Sequence, residues 1–312
     1  MRYLINGSIA YDLLLTHDGS FLAGLDVKHL ESLSVNFFAH GFVRHHGGTS
    51  ANISWNLALL GEKPIAVGAV GTDGNEYVTM LKNRGVDTHL VQSSTSSLTA
   101  TAVIATDSAG RQISFFHPGA DTKATFPDLT NEADIAYGIM SPRNPGLMLE
   151  GGQSCAAFKI PYLFDPGQVV HAFSDDDLKK AVGASSGLIV NEYEWSIAGK
   201  KLSMNEQEVA ALCGMIIVTL GEKGLRIVTK KDDIHVPACP ISRLANPTGA
   251  GDAARAGLLY GFAHAWPLMQ SARLAAILGA FVCEQDGTLL DALDRDQLSA
   301  TALEVYGAKL PF

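Results

Sequence analysis

From about residue 130 onward, short apolar runs alternate with segments of helical spacing, and this rhythm constrains the fold more than any other feature. The run 162–164 ends in Asp165-Pro166-Gly167, the run 187–190 ends at Asn191, and the run 215–219 ends in Leu220-Gly221. Between them, 174–184 and 205–212 carry apolar residues at helical spacing, and 249–263 and 268–283 read as two long helices. Repeated strand–helix units predict an α/β fold: a three-layer, doubly wound, mostly parallel sheet covered on both faces. In such sheets ligands gather beyond the carboxyl ends of the strands. The residues at those ends are Asn6-Gly7, Asp165, Asn191 and Thr219-Leu220-Gly221.

The first 120 residues keep this rhythm less strictly. A strand at 3–5, a helix at 49–60, a strand at 65–70 and a helix at 77–84 fit it. Runs at 13–15, 34–38 and 42–45 read instead as strands of an extended part. The runs 98–106 and 112–117 flank Asp107-Ser108-Ala109-Gly110, a hairpin signal. These pieces, within 13–46 and 96–118, predict a small second sheet inserted into one large domain spanning 1–312. An exposed sheet of this kind can pair with a second copy, so a monomer or a homodimer through the lid is expected.

With 312 residues and 47% hydrophobic content the chain can bury a sizeable core. Its formal net charge of -9 argues against nucleic acid as a partner, since no basic patch offsets it. The four cysteines form no C-x-x-C pair, which fits reduced thiols in a cytoplasmic protein. Asp12 interrupts the apolar run near the N-terminus, and no uncharged apolar stretch approaches about 18 residues. Neither a signal peptide nor a membrane span is expected.

The segment Asn246-Pro247-Thr248-Gly249-Ala250-Gly251-Asp252 carries the strongest chemical signal. Two glycines around a small residue let the backbone approach a ligand. The free N–H groups and dipole of the helix that follows make an anion site. Asp252 at the helix start is placed to accept a proton from an attacking hydroxyl. Composition alone also fits an ordinary Gly-rich helix start with an acid in its first turn. The segment is not a G-x-x-x-x-G-K-S/T phosphate loop, and the dinucleotide fingerprint is missing as well. His40, His45 and His46 do not read as a metal site, because adjacent side chains in a strand point to opposite faces.

Five ordered motifs turn this into a family resemblance. Gly249–Asp252 and its flanks resemble the C-terminal motif D-T-x-G-A-G-D-x-F-x-x-G of the ribokinase-like (PfkB-type) carbohydrate and nucleoside kinases. The Pro-Thr variant followed by Arg255-Ala256-Gly257 resembles the adenosine and general nucleoside kinase branch. Gly47-Gly48-Thr49-Ser50-Ala51-Asn52 resembles the family's G-G-x-x-x-N segment, and Gly68 to Gly74 its G-x-V-G-x-D-x-x-G run. Asn191-Glu192-Tyr193-Glu194 matches N-x-x-E, and Thr219 to Gly224 matches the nucleotide-binding T-x-G-x-x-G turn. The resemblance spans roughly residues 3 to 290.

The resemblance implies transfer of the ATP γ-phosphate to the 5′-hydroxyl of a purine nucleoside, or of a pentose or hexose in the sugar-kinase variant; a weakly active nucleoside-binding protein on a kinase scaffold is the third reading. Asp252 aligns with the catalytic base, and the N–H groups of Gly249, Ala250 and Gly251 with the anion hole. Asp12, Gly48 and Asn52 align with groups that hold ribose hydroxyls; Phe116 under the lid and Gln168 after the central strand are further substrate-side candidates. Thr219, Gly221 and Gly224 align with the ATP-binding turn. Asn191 and Glu194 align with residues that organise phosphate and Mg²⁺, Glu194 through water. K⁺ is a candidate activating ion, but the family's first Asp is Asn246 here, which removes a charge near its expected site. Ala254 replaces the usual aromatic. Both departures are expected to lower turnover relative to members with the full motif. Gly287-Thr288-Leu289-Leu290 replaces a more polar run and is expected to alter the adenine pocket.

Overall fold

The strands alternate on the sheet with period 2, yet both of their faces are apolar. Tyr3 and Ile5 of β1 (Arg2–Asn6) pack into one core with Ile189 of β10 (Gly187–Asn191) and Ile217 of β11 (Met215–Thr219). Leu4, Leu188, Val190, Ile216 and Val218 pack into a second core on the opposite side. A strand with two apolar faces must be covered twice. Each fully buried aliphatic side chain contributes about 1.5–3 kcal/mol relative to exposure.

The computed structural model describes residues 1–24 and 34–312. In chain order, β2 (Ala10–Thr16), α1 (Phe21–Gly24), β3 (Gly41–Gly47), α2 (Thr49–Leu59), β4 (Lys63–Val70), α3 (Asn75–Arg84), β5 (Val91–Ser93), β6 (Ala100–Thr106) and β7 (Gln112–His117) follow β1. Then come β8 (Ile135–Met140), α4 (Pro145–Ala157), β9 (Tyr162–Phe164) and α5 (Asp175–Ala184) before β10. Next, α6 (Glu192–Leu202) and α7 (Glu206–Cys213) precede β11, which is followed by β12 (Leu225–Thr229), β13 (Asp233–Val236), α8 (Ala250–Ala263), α9 (Leu268–Cys283) and α10 (Arg295–Tyr306).

The large sheet runs β13-β12-β11-β10-β9-β8-β1-β4-β5. It is parallel from β11 to β5, and only β12 and β13 pair antiparallel. Helices α2, α8, α9 and α10 cover one face, and α4 to α7 cover the other. The expected three-layer α/β/α architecture is present.

The second sheet, β3-β2-β6-β7, is the lid. Its strands start at Ala10, three residues before the expected lid boundary. The part of the 13–46 insertion between 25 and 33 lies outside the described residues. The expected strand at 34–38 is absent: residues 34–39 have no regular structure. Both edges of β2 are already paired, to β3 and β6. The aromatic ring of Phe37 packs instead on His17 and edge-on to Phe21, so the apolar run serves packing rather than pairing.

The glycine run 68–74 anchors the root of the lid. Asp73 Oδ1 accepts from both the Thr99 N–H and Thr99 Oγ1 at 2.7 Å, and the Gly71 N–H donates to Thr99 Oγ1 at 2.9 Å. A Cβ at Gly71 would lie 2.2 Å from the Leu98 carbonyl carbon, so only glycine admits the chain entering β6.

Candidate active site

Asn191 and Thr219 lie on the carboxyl edge of the large sheet and Asn52 meets Asp252 at the start of α8, whereas Phe116 on the second sheet and Gln168 are exposed and are not brought into contact with them. Asn191 and Thr219 are register partners at the ends of β10 and β11. Asp165 follows the end of β9 and is fully buried. Beyond β11 the chain turns through Gly221 (φ 57°) and Gly224 (φ 96°), with the Leu220 N–H donating to the Gly224 carbonyl at 2.8 Å. Two glycines with positive φ fold this loop tightly, and the N–H groups of Leu220, Lys223 and Gly224 donate within it.

Helix α8 begins at Gly249, which has φ 88° and provides no side-chain cap. No side chain caps the first N–H groups of the helix; that of Ala250 donates to the Pro247 carbonyl at 3.2 Å. Asp252 sits in that first turn. Its Oδ2 accepts from Asn52 Nδ2 of α2 at 2.7 Å, a contact between residues 200 positions apart. Burial pushes the Asp252 carboxyl up to about 6, against the opposing pull of Arg255 and of the Asn52 hydrogen bond; Asp165 and Asp12 push it further up. A carboxylate poised near neutrality is matched to proton abstraction from a hydroxyl.

The lid presents its own row of residues. Asp12 on β2 pairs in register with His45 on β3 and with Ala102 on β6, and Ala102 pairs with Phe116 on β7. Cross-strand partners share a face, so His45, Asp12, Ala102 and Phe116 form one row. Burial raises the Asp12 carboxyl, with nearby His45 pulling the other way. Gly48 (φ 93°) starts α2; a Cβ there would lie 2.6 Å from both the Ala10 nitrogen and the Ser8 carbonyl oxygen. Glycine at 48 lets the helix that carries Asn52 dock on the strand that carries Asp12.

Asn191 and Glu194 make a reciprocal capping box: the Glu194 N–H donates to Asn191 Oδ1 and the Asn191 N–H to Glu194 Oε2, both at 2.8 Å. The N-x-x-E spacing is thus that of a helix capping box. Glu194 is also buried, its carboxyl raised by burial and by Asp165. Among the described residues Oε1 accepts no hydrogen bond, which leaves it for a water or ion. No cluster of three or more His, Cys, Asp or Glu side chains that could hold a metal occurs among the described residues. The donor set therefore suits a Mg²⁺ that arrives with nucleotide phosphates and keeps its waters, rather than one caged by the protein. Gln168 is exposed on the short turn after Asp165.

Several site features were not read from the sequence. Asp165 takes a bidentate clamp from Arg255, and Thr288 Oγ1 donates to the His46 carbonyl. Trp55 Nε1 donates to the Leu290 carbonyl at 2.7 Å. The run 287–290 is thus tied to the end of β3 and to α2, and the Thr288 carbonyl lies against Gly249, where an added Cβ would be 2.6 Å away. At Asn246, Oδ1 accepts from the Thr248 N–H at 2.9 Å, so the neutral amide closes the turn before Gly249. Ala254 faces α9, where a Cβ added at Gly279 would be 4.0 Å from the Ala254 methyl. Small residues on both helices permit the close approach, and Ala254→Phe is expected to overpack it at a cost of about 1–3 kcal/mol. A thermal unfolding midpoint equal to wild type would contradict that packing account.

An open α/β/α sheet with a lid, a glycine-started helix carrying a poised carboxylate and a glycine turn at the strand ends defines a phosphotransferase acting on an alcohol. A model of the pfkB family carbohydrate kinases matches residues 19–295, and the chain belongs to that family. It is 31% identical over 273 residues to a nucleoside kinase of Methanothermobacter thermautotrophicus, covering 85% of this chain and 87% of that protein. The structure of a Burkholderia thailandensis nucleoside kinase in complex with inosine superposes with a TM-score of 0.89 at 31% identity, covering 98% of this chain and 99% of that one. The same enzyme in complex with ADP-inosine gives 0.87 at 30% identity, covering 99% and 97%.

Proposed function

We propose that this kinase transfers the γ-phosphate of ATP to the 5′-hydroxyl of a purine nucleoside. The observation that carries this reading is the juxtaposition of Asp252, Asn52 and Asp12 around the start of α8, one group poised to take a proton and two suited to ribose hydroxyls. A carboxylate accepts from both hydroxyls of a vicinal diol, the role assigned to Asp12. Gly48 and Asn52 hold the same sugar, and the Phe116 ring offers an aromatic face to the base. Asp252 accepts the 5′-hydroxyl proton, and the N–H groups of Gly249, Ala250 and Gly251 stabilise charge on the transferred phosphoryl. Thr219, Gly221 and Gly224 seat the nucleotide. Mg²⁺, oriented by Asn191 and by Glu194 through water, would neutralise phosphate charge. The Burkholderia thailandensis nucleoside kinase, with structures in complex with inosine and with ADP-inosine, supports the choice of nucleoside and donor.

ADP release with ATP and Mg²⁺, measured across purine nucleosides, pyrimidine nucleosides, ribose and hexoses, tests the assignment. Purine nucleosides should give the highest kcat/KM, and added K⁺ should change the rate little because Asn246 is neutral and its side-chain Oδ1 already accepts from the Thr248 N–H. Preference for a free pentose or hexose would replace this reading with the sugar-kinase one. Binding of nucleosides without ADP release would leave a binding protein. The kcat/KM profile should fall as pH drops through about 6, where Asp252 gains its proton.

A further inference from the structure

We infer that Arg255, clamped by Asp165, is a positioning residue for phosphoryl transfer: it ties the first turn of α8 to the end of β9 and balances the charge around Asp252. This rests on the reading of Asp252 as the base.

The guanidinium is engaged on three nitrogens. Nε donates to Asp165 Oδ2 at 2.5 Å, Nη2 to Asp165 Oδ1 at 2.8 Å and Nη1 to the Gly251 carbonyl at 3.1 Å. One fork thus links the strand end to the peptide that joins Gly251 to Asp252. Arg255 lies three residues after Asp252, on the same side of the helix. Both partners are buried, Asp165 at 0% exposure and Arg255 at 8%. A buried ion pair adds little stability over apolar residues of the same volume, so stability alone does not account for one at this place.

The surrounding charges make its second role. Asp165 follows β9, Asp12 comes from β2, Glu194 from α6, and Tyr77 from α3, whose hydroxyl donates to the Gly47 carbonyl at 2.8 Å. Four carboxylates, Asp12, Asp165, Glu194 and Asp252, therefore share this region with one guanidinium and with the His45 imidazole beside Asp12. Arg255 favours the ionised form of Asp252, whereas Asp165 opposes it. Removing one or the other must move the base in opposite directions.

That opposition is the test. Profiles of kcat and kcat/KM against pH are recorded for wild type, Arg255→Met, Arg255→Lys and Asp165→Asn, with unfolding midpoints for each. Arg255→Met should lower kcat roughly a hundredfold through misplacement. Its acid limb should move up by about one pH unit or more, as expected when a cation beside a carboxylate is lost. Asp165→Asn should move the limb down. Arg255→Lys keeps the charge without the fork; its limb should stay near wild type while kcat falls. Limbs moving in the same direction, or rates that fall only in step with the unfolding midpoint, would overturn the inference and leave a structural pair. If Arg255→Met does not fold, the Arg255→Lys and Asp165→Asn limbs decide it. Separately, an active Asp252→Asn enzyme would remove the base reading itself, whereas an inactive one with unmoved limbs in the other variants would leave the base and remove only this inference.

Discussion

Asp252→Asn is expected to lower kcat roughly 10²–10⁴-fold, the range a positioned general base contributes, while nucleoside affinity stays within a few-fold of wild type. The change is nearly isosteric. The amide oxygen can still accept from Asn52 Nδ2, which donates to Oδ2 at 2.7 Å in the native site. What is lost is the capacity to take a proton near neutral pH, for which burial has raised the carboxyl to about 6. The proposed sugar contacts of Asp12, Gly48 and Asn52 remain. Turnover and calorimetric nucleoside binding, measured on the same preparation, separate the two effects. A variant that keeps more than a few per cent of wild-type kcat would remove Asp252 from the role of base.

The second large effect is expected at Gly249. Alanine there must adopt φ 88°, which costs roughly 1–2 kcal/mol for a residue with a Cβ. The added Cβ would also lie 2.6 Å from the Thr288 carbonyl oxygen. Backbone on both sides resists, because Thr288 is held to His46 and Leu290 to Trp55. The start of α8 must therefore shift, and its N–H groups shift with it. Loss of one such donor typically costs 10²–10³ in kcat, so Gly249→Ala should fall by at least about a hundredfold. Gly307→Ala is the control: Gly307 also has positive φ, 70°, but nothing lies within 4 Å of its added Cβ, and it caps a distant helix. It should lose stability and keep its rate. Equal rate losses in both variants would show that strain alone, not the anion hole, is being measured.

The parts of the site that were legible in the sequence are those whose chemistry is local. Gly249 to Asp252 announces a helix start because the backbone demands of that turn fall on four adjacent residues. The same holds for Gly221 and Gly224, and for the capping pair Asn191 and Glu194. The parallel sheet was legible because its strands end in Asn, Asp, Thr or Gly and are spaced by helices. Contacts set by sheet order were not legible. Asn52 meets Asp252 only because α2 and α8 cover the same face of the sheet, and Arg255 meets Asp165 only because the sheet order brings the residue after β9 beside α8. His45 joins Asp12 through lid register, which one residue of slip would undo. The run 34–38 misled for a related reason. Its apolar content satisfies strand propensity, but β2 has no free edge left to pair with it, and the Phe37 ring is used against Phe21.

The identity of the product tests the central claim most directly. Inosine or adenosine incubated with ATP, Mg²⁺ and the enzyme should yield ADP and one nucleoside monophosphate in equal amounts. Phosphorus–proton coupling should place the new phosphate on the 5′ carbon. Phosphate on another hydroxyl, transfer to a free sugar in preference to any nucleoside, or ADP release without a phosphorylated nucleoside would contradict the account.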